Sequence, residues 1–506
     1  MKLIYGVNDK PKFGKLVVFA IQQLLAIMAA TLVVPVITGH GMSSSAALFG
    51  AGMGTLVYIL FTLKRSPVFL GSSFAFLGSM ASAFAGAATV ELGYAGLIIG
   101  AVFAGLVYVL ISLIVKIAGV NWVDKLMPAV VIGPTVAIIG LSLAGNAIGD
   151  LSSVNYSYAL ENNGEYSVVE TVIKSDDESE ADKVVSASVV DAQGNAVKNI
   201  SATYNEETGS YDLNKKPGSS YVAIICGLIT LFVTMIASCY GKKMARLIPF
   251  VIGILGGYAA ACIFYIIGNA TGNEALMIIN FEPFKALVAD GITLKTFVGL
   301  PEFTFFTAFK GISQINADYI ISIAVAYVPV AFVVFAEHLA DHKNISSIIE
   351  KDLLTDPGLS RTLLGDGVGS MVGAFFGGCP NTTYGESVGC VAITKNASVV
   401  TIMAAAIGAI IVSFVNPFVA FVNSIPSCVM GGVCVALYGF IAVSGLKMIK
   451  NIDLEQNKNL FVVSAILITG IGGFTLSFGA ITITSVACSL IIGIVTNIIV
   501  GKAKEQ

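Results

Sequence analysis

Hydrophobic positions along this chain form long runs rather than an alternating or amphipathic pattern. No Asp, Glu, Lys or Arg occurs between Asn396 and Leu446, or between Asn459 and Gly501. A helix needs about 20 apolar residues to cross the ~30 Å hydrocarbon core of a bilayer, and a soluble domain cannot bury two stretches of this length. Windows of low charge predict fourteen spans, at residues 16–38, 45–63, 67–85, 92–115, 126–149, 220–240, 246–268, 318–340, 362–378, 380–396, 398–422, 424–446, 459–476 and 480–501. The pattern therefore predicts an all-α integral membrane protein with fourteen transmembrane segments.

The third and tenth predicted spans are interrupted at corresponding places. Residues 66–73 (SPVFLGSS) and 377–383 (GGCPNTT) bring proline and glycine into apolar surroundings. Proline removes a backbone donor and glycine frees the chain, so both spans are expected to contain short extended segments. Irregular backbone at membrane depth is stable only where protein or a cavity satisfies it. Paired breaks in two halves of a chain point to a transporter's midplane binding site, and a simple packing kink is the alternative.

Two short sequence similarities, each weak, relate a span to the span seven positions later. Residues 128–133 (PAVVIG) resemble 426–431 (PSCVMG), and residues 71–76 (GSSFAF) resemble 381–386 (NTTYGE). A duplicated unit with an odd number of spans must insert upside-down relative to its copy. The similarities therefore predict two inverted seven-span repeats, a common plan of transporters.

Composition and charge agree with the membrane interpretation and add an orientation. The chain has 506 residues, 56% apolar and 12% charged, and its mean hydropathy is +0.86. Residues 150–218 carry 13 acids and 5 bases, against 18 acids and 23 bases in the rest. Basic residues concentrate in alternate short loops, which predicts that both termini are cytoplasmic and that the acidic insertion 150–218 is extracellular. The insertion is expected to form a small β-subdomain, with strands near 183–190 and 196–204, or else a disordered loop.

Cysteine and histidine usage gives little support to a metal or disulfide site. The eight cysteines form no CxxC pair, and the chain has three histidines. We therefore expect neither metal nor cofactor.

Three acids, Glu337, Asp341 and Glu386, lie in or beside apolar spans without a basic neighbour. An ionisable group inside a membrane costs about 2.5–3.5 kcal/mol on insertion scales and is functional by default. Glu337 and Asp341 are four residues apart and share one helix face. Buried carboxyl groups can hold and release protons near neutral pH. The alternative is that these residues merely mark the cytoplasmic end of the eighth span, because only about 18 apolar residues precede Glu337.

Several motifs together resemble the nucleobase–ascorbate transporter family. They are 336–338 (AEH), 351–359 (KDLLTDPGL), 380–389 (PNTTYGESVG) and 392–395 (AITK). The pattern from Glu386 through Gly389 to Thr394 and Lys395 is similar to the family signature. The likeness extends from the first span to the last, except for the insertion, and is strongest towards the bacterial uracil-transporting branch.

The resemblance implies a fold, a domain division and a site. Spans 1–4 and 8–11 would form a substrate-carrying core (1–122 and 317–422), and the others a gate or dimerisation domain (123–149, 219–268 and 423–506, with a cytoplasmic tail). Residues 269–316 would be an extracellular loop with possible short helices. Glu337 and Glu386 would bind the base, Phe74 would lie beside it, and the backbone around Ala75, Tyr384 and Gly385 would add hydrogen bonds. The partners implied are a small nucleobase, the lipid bilayer and a possible second copy of the chain through the gate, without nucleic acid.

The implied function is import of uracil coupled to protons by an elevator-like motion of core against gate, in the cell membrane. Uracil has two N–H donors, two carbonyl acceptors and a flat face, which suit two carboxylates, free backbone N–H groups and an aromatic ring. Because uracil is neutral, uphill uptake needs a coupled ion, and Glu337 and Asp341 suggest a proton. The uracil branch usually has histidine where this chain has Asp341, which is more typical of purine relatives, whereas Glu386 favours uracil. A xanthine or uric acid permease is therefore the alternative, and an intramembrane enzyme using Glu337 and His338 a remote one.

Overall fold

The computed structural model describes residues 3–154, 158–160, 166–173, 183–191, 197, 200–205, 210–215, 218–242, 244–450, 452–478 and 481–501. Each of the fourteen predicted spans corresponds to a segment of the structure. Numbered 1 to 14, the helical parts of the spans are Phe13–Thr38, Ser44–Phe61, Phe74–Phe76 with Leu77–Ala85, Val90–Ala118, Ala129–Ser142 with Ala144–Leu151, Ser220–Tyr240, Pro249–Thr271, Ala317–Ile349, Leu359–Gly377, Gly385–Thr394, Val399–Ser413, Ser427–Ile449, Asn457–Ile471 and Ser485–Val500.

Length and hydropathy divide these spans into three kinds. Among the described residues, eight helices are long and apolar enough to cross a membrane alone, namely spans 1, 2, 4 to 8 and 12. Spans 3, 11, 13 and 14 are shorter apolar helices. Span 9 contains Arg361 and Asp366, and span 10 is a ten-residue half-helix. These exceptions need protein rather than lipid around them, since unsatisfied polar groups in hydrocarbon cost several kcal/mol each.

Span 8 is longer than the sequence predicts. Its helix is capped by the Asn316 side chain, which accepts a hydrogen bond from the Tyr319 N–H at 2.8 Å, and it continues to Ile349. Glu337 therefore lies well inside a 33-residue helix. The helix itself does not end at these acids, since a hydropathy count stops at the first charged residues even when they face the protein interior.

In the part of the chain that the structure describes, nine short strands accompany the helices. They are β1 (Leu70–Ser72), β2 (Tyr158–Leu160), β3 (Tyr166–Ile173), β4 (Lys183–Asp191), β5 (Ile200–Asn205), β6 (Ser210–Lys215), β7 (Asn381–Thr383), β8 (Leu476–Phe478) and β9 (Ile481–Ile483).

Strands β1 and β7 are the extended segments expected in spans 3 and 10. They pair antiparallel, with Gly71 opposite Thr382, and both are fully buried. Each strand leads into a half-helix, which begins at Phe74 in one span and at Gly385 in the other. Two broken spans that meet head to head in this way are what an inverted repeat of spans 1–7 and 8–14 produces.

The described part of the insertion is made of strands. Strand β6 lies between β2 and β5 in one antiparallel sheet, and β3 pairs with β4 in a hairpin. Val189, Ile200 and Leu213 form a small apolar cluster of their own. The predicted strand at 183–190 is present as β4, and the one at 196–204 begins at Ile200.

The spans form two packed groups. Span 2 packs on spans 9 and 11, and span 4 on spans 8 and 9, whereas span 12 packs on spans 5 and 6, and span 13 on spans 5 and 14. Fewer contacts join the groups, chiefly span 8 with spans 5 and 14 and span 1 with span 7. Short helices connect the spans: Asn121–Leu126, Met244–Leu247, Asn416–Ser424 and, within 269–316, Glu282–Val288, Leu294–Phe297 and Thr304–Gly311.

Candidate functional site

The two half-helices of spans 3 and 10 begin beside one another inside the protein. The Ser73 N–H donates to the Pro380 carbonyl at 2.9 Å, and the Tyr384 N–H donates to the Phe69 carbonyl at 3.2 Å, so the β1–β7 pairing extends to the residue just before each half-helix. The first N–H groups of a helix have no partner within the helix, and they carry partial positive charge. The arrangement therefore presents free donors at Phe74 and Gly385 to any molecule bound there.

Glycine at position 71 allows the Tyr384 ring to lie against β1. A Cβ atom at Gly71 would come within 2.4 Å of the Tyr384 ring, a distance that carbon atoms do not adopt. The Tyr384 hydroxyl donates to the Ser72 carbonyl at 2.6 Å. Tyr384 thus connects the two broken spans through its ring and its hydroxyl.

A cavity of about 640 Å³ opens in front of the half-helices. Six of the seven residues that the sequence singled out line it, namely Phe74, Glu337, Asp341, Tyr384, Gly385 and Glu386. Ala75 is buried beside Phe74 and does not line the cavity. The structure thus brings together carboxylates from spans 8 and 10, although almost 50 residues separate them in the sequence.

Residues of the second group of spans form the opposite wall of this cavity. Phe74 meets Tyr438 of span 12 edge to face, with ring centroids 5.6 Å apart. Further out, Phe250 of span 7 contacts Phe440 of span 12 at 5.7 Å. The cavity therefore lies between the two groups of spans.

Asp341 is held by strand β7. Its Oδ2 accepts a hydrogen bond from the Thr383 hydroxyl at 2.9 Å, and its side chain is buried. Within the described residues no hydrogen bond joins Asp341 to Glu337. Thr383 is thus a neighbour of the site that sequence reasoning missed, although its place in the broken segment was a usable signal.

A buried polar network lies behind the cavity, and sequence reasoning missed most of it. His338 Nδ1 lies 2.7 Å from Asp366 Oδ2, and its Nε2 lies 3.1 Å from the Thr362 hydroxyl. The rings of His338 and His342 stack at 3.9 Å, and His342 Nε2 is 2.7 Å from the Tyr58 hydroxyl. All five side chains are buried. Asp366, an acid within span 9, was a partial signal, but nothing in the sequence indicated its partner.

Hydrogen-bond directions restrict the protons of this network. Because the Thr362 hydroxyl donates to the Leu359 carbonyl, it can only accept from His338 Nε2. A single proton is then shared between His338 Nδ1 and Asp366 Oδ2, and the pair is neutral overall. His342 Nδ1 faces the His338 carbonyl at 2.8 Å and must donate to it. Its Nε2 faces the Tyr58 hydroxyl, which donates to the Ser66 hydroxyl at 2.7 Å.

The site suits a small planar molecule with several polar edges. Carboxylates can accept N–H groups, the half-helix N–H groups can donate to carbonyl oxygens, and Phe74 and Tyr384 can cover a flat face. Among the described residues, no group of three or more His, Cys, Asp and Glu side chains could hold a metal ion.

Comparison with known proteins identifies the family. A family model described as "Permease family" matches residues 14–173 and 202–478. The chain belongs to this permease family. The match confirms its resemblance to the nucleobase–ascorbate transporters, and the chain is a transporter rather than an enzyme. The uracil permease of Bacillus subtilis (strain 168) is 34% identical and covers 100% of this chain and 97% of its own length. The uracil permease of Escherichia coli (strain K12) is 32% identical, over 98% of this chain and 93% of its own.

Solved structures of other transporters share the fold of this permease. The transmembrane domain of the cyanobacterium bicarbonate transporter BicA gives a TM-score of 0.55 at 13% identity, with 97% of this chain and 100% of that one covered. Murine Solute Carrier 26 family member A9, an anion transporter in the inward-facing state, gives 0.57 at 10% identity, with 98% and 69% covered. At these identities the likeness is one of fold.

Proposed function

We propose that this permease imports uracil together with protons across the cell membrane. The observation that carries the proposal is the cavity in which Glu337 and Glu386 meet the start of two half-helices and the Phe74 ring. The named relatives support uracil as substrate, because the curated proteins from Bacillus subtilis and Escherichia coli are uracil permeases.

Glu337 and Glu386 accept the two N–H groups of uracil in this proposal. The N–H groups at the start of the span 10 half-helix, at Gly385 and Glu386, donate to a carbonyl oxygen of the base. Phe74 covers one face of the ring. Carboxylates at these positions disfavour anionic cargo, so a shared fold with anion transporters does not imply a shared substrate.

Protons are the coupling ion in this proposal. Glu337 and Asp341 line the cavity and are four residues apart on one face of span 8. A carboxylate that exchanges a proton with the cavity changes both its charge and its hydrogen-bonding capacity. The Thr383 hydroxyl donates to Asp341 Oδ2 at 2.9 Å and fixes the position of this carboxyl group. We assign proton coupling to Glu337 together with Asp341.

Transport proceeds by movement of the core (1–122 and 317–422) against the gate (123–149, 219–268 and 423–506). The cavity lies between these two groups of spans, and Arg246 and Lys447 line its mouth. Basic loops favour the cytoplasmic side, so the cavity opens inward and both termini are cytoplasmic. The insertion 150–218 is extracellular, and the gate is the surface through which two copies of the chain would pair.

Uptake of labelled uracil into cells that lack their own uracil transport tests the proposal. We expect uptake that collapses with a protonophore and is unchanged by excess xanthine. Uptake that resists the protonophore would refute proton coupling, and absence of uptake from correctly inserted protein would refute uracil as substrate.

A xanthine or uric acid permease is the second candidate. Asp341 favours it, because this acid lines the cavity and is typical of the purine-transporting relatives. Xanthine-sensitive transport without uracil uptake in the same assay would establish it.

A further inference from the structure

The cavity is larger than its proposed cargo requires. Its volume of about 640 Å³ falls within the roughly 300–1,000 Å³ that is typical of pockets for drug-sized ligands. Uracil has eight non-hydrogen atoms and occupies only the end at Glu337 and Glu386. The remainder of the cavity has its own polar lining, which the transport of a small neutral base does not use.

Two cations stand at the mouth of the cavity, on the gate. Arg246 lies four residues before Phe250, and Lys447 lies seven residues after Phe440. Because Phe250 and Phe440 contact each other and spans 7 and 12 run in opposite directions, both cations lie on the same outer side of that contact. Both are exposed, and among the described residues neither makes an ion pair.

Polar side chains connect the deep acids with these cations. On span 8 the cavity is lined by Glu337 and, seven residues later, by Asn344, a rise of about 10 Å at 1.5 Å per residue. Ser238 and Ser444 line the gate side. None of Asn344, Ser238 and Ser444 makes a side-chain hydrogen bond to a described residue. The cavity thus runs from acids through unpaired polar groups to a pair of cations.

We propose that this cavity also binds a pyrimidine nucleoside monophosphate, which occupies the site from the cytoplasmic side and inhibits transport. The proposal rests on the proposed function, since the base would take the uracil position. The N3–H and carbonyl groups of the base remain available. Because N1 carries the ribose, the carboxylate that accepts N1–H from uracil accepts a ribose hydroxyl instead, and the other hydroxyl faces Asn344 and the two serines. Six bonds separate N1 from phosphorus, a reach of roughly 7 Å, and they direct the phosphate towards the end of the cavity that Arg246 and Lys447 line.

The charge of the phosphate is the reason that the monophosphate should bind more tightly than the nucleoside. Guanidinium and ammonium groups form charge-assisted hydrogen bonds with phosphate, which are about twice as strong as neutral ones. Asn344, between the acids and the cations, already lies about 10 Å along span 8 from Glu337, so a phosphate bound beyond it is separated from the acids. A transporter with this site would slow its import when the cytoplasmic nucleotide made from its cargo accumulates.

Competition binding on the purified full-length protein tests the inference. Labelled uracil is bound first, and four competitors are then added in separate assays: uridine 5′-monophosphate, uridine, ribose 5-phosphate and inorganic phosphate. We expect the monophosphate to compete at least tenfold better than uridine, and the two base-free phosphates to compete poorly. In the double variant Arg246→Gln/Lys447→Gln, uridine and its monophosphate should displace uracil at about the same concentration. Lys450 lies outside the cavity, so Lys450→Gln should retain the wild-type difference between the two competitors.

The outcomes separate this inference from the proposed function. If uracil binds but the monophosphate competes no better than uridine, the inference is refuted. Arg246 and Lys447 would then be interpreted as contacts for anionic lipid. Equal competition by inorganic phosphate would refute the joint site as well, because the anion alone would then be the ligand. If uracil itself does not bind, the proposed function fails and the inference fails with it.

Discussion

At the scale of single residues, Glu337 and Glu386 form the polar end of the cavity. Replacing either by glutamine retains the shape but exchanges a carboxylate oxygen for an amide donor. Since a hydrogen bond to a charged group is worth about 1.5–3 kcal/mol, we expect KM for uracil to rise by about 10- to 100-fold. Initial rates of uptake against uracil concentration provide the measurement. Glu455→Gln, in the exposed loop before span 13, is the matched control, and an unchanged KM in Glu337→Gln would contradict the assignment.

The His338–Asp366 pair allows a prediction about stability. Asn at position 366 can donate to His338 Nδ1 while His338 Nε2 donates to Thr362, so Asp366→Asn keeps the neutral pair hydrogen-bonded. Ala leaves a buried imidazole without its partner, and breaking a buried pair costs about 3–5 kcal/mol. We expect the thermal unfolding midpoint of purified Asp366→Asn to lie slightly below that of the wild type, and the midpoint of Asp366→Ala to lie far below both. Asp290→Ala, at an exposed loop position, should match wild type; equal midpoints for the two Asp366 variants would disprove the role of the pair.

Sequence reasoning succeeds at residues whose chemistry is unusual for their surroundings. Glu337 and Glu386 were predictable, because an unpaired acid in an apolar run is costly and is retained for a reason. Asp366 lies in a span rich in glycine and serine, so its burial against His338 could not be anticipated without knowing which helix packs beside it. The hydrogen bond from Thr383 to Asp341 depends on the register of β1 and β7, which no local pattern specifies.

At the scale of elements, the pairing of β1 with β7 depends on the absence of a side chain at Gly71. Gly71→Ala places a Cβ within 2.4 Å of the Tyr384 ring, and overpacking of this kind costs about 1–3 kcal/mol. We expect Tyr384 to shift out of the position that lines the cavity and uracil affinity to fall at least fivefold. Equilibrium binding of labelled uracil to purified protein measures this effect.

Gly78→Ala is the control for that variant, since it lies in the half-helix of the same span. Its added Cβ would meet the nearest atom, Thr484 Cγ2, at an ordinary 3.4 Å. Wild-type affinity in Gly71→Ala would show that the ring and the strand do not depend on each other.

Hydropathy predicts where a helix begins and ends only if the helix faces lipid along its length. All fourteen spans were predictable, and so were the extended segments of spans 3 and 10, because proline and glycine interrupt the helix there. The end of span 8 was not, since its last turns carry polar residues that pack against protein. Hydropathy measures what a residue would cost in lipid, whereas helix length here depends on contacts with neighbouring spans.

At the scale of the whole molecule, the two ends of the insertion lie side by side. Span 5 ends at Leu151 and span 6 begins at Ser220, and a Cβ at Gly218 would lie 3.3 Å from Val154 Cγ2. The two ends of the insertion therefore touch. The Gly218 and Ser219 N–H groups are fixed by the Glu274 and Ala275 carbonyls at 3.0 and 2.8 Å, independently of the strands between them. The closeness of these ends is a property of the fold that the acidic composition of 150–218 does not predict.

Replacing residues 155–217 by about four glycine and serine residues should therefore leave transport nearly intact. Closing so short a gap costs little loop entropy, and the replacement removes a surface segment rather than a packed span. We expect the KM of uracil uptake to stay within about twofold of wild type, with rates normalised to the amount of protein in the membrane. The same linker in place of Asn416–Ser424, the helix that packs against the outer loop helix Glu282–Val288, should abolish uptake, because that helix connects core and gate. Loss of uptake from normally inserted protein lacking 155–217 would instead make the insertion part of the transport cycle.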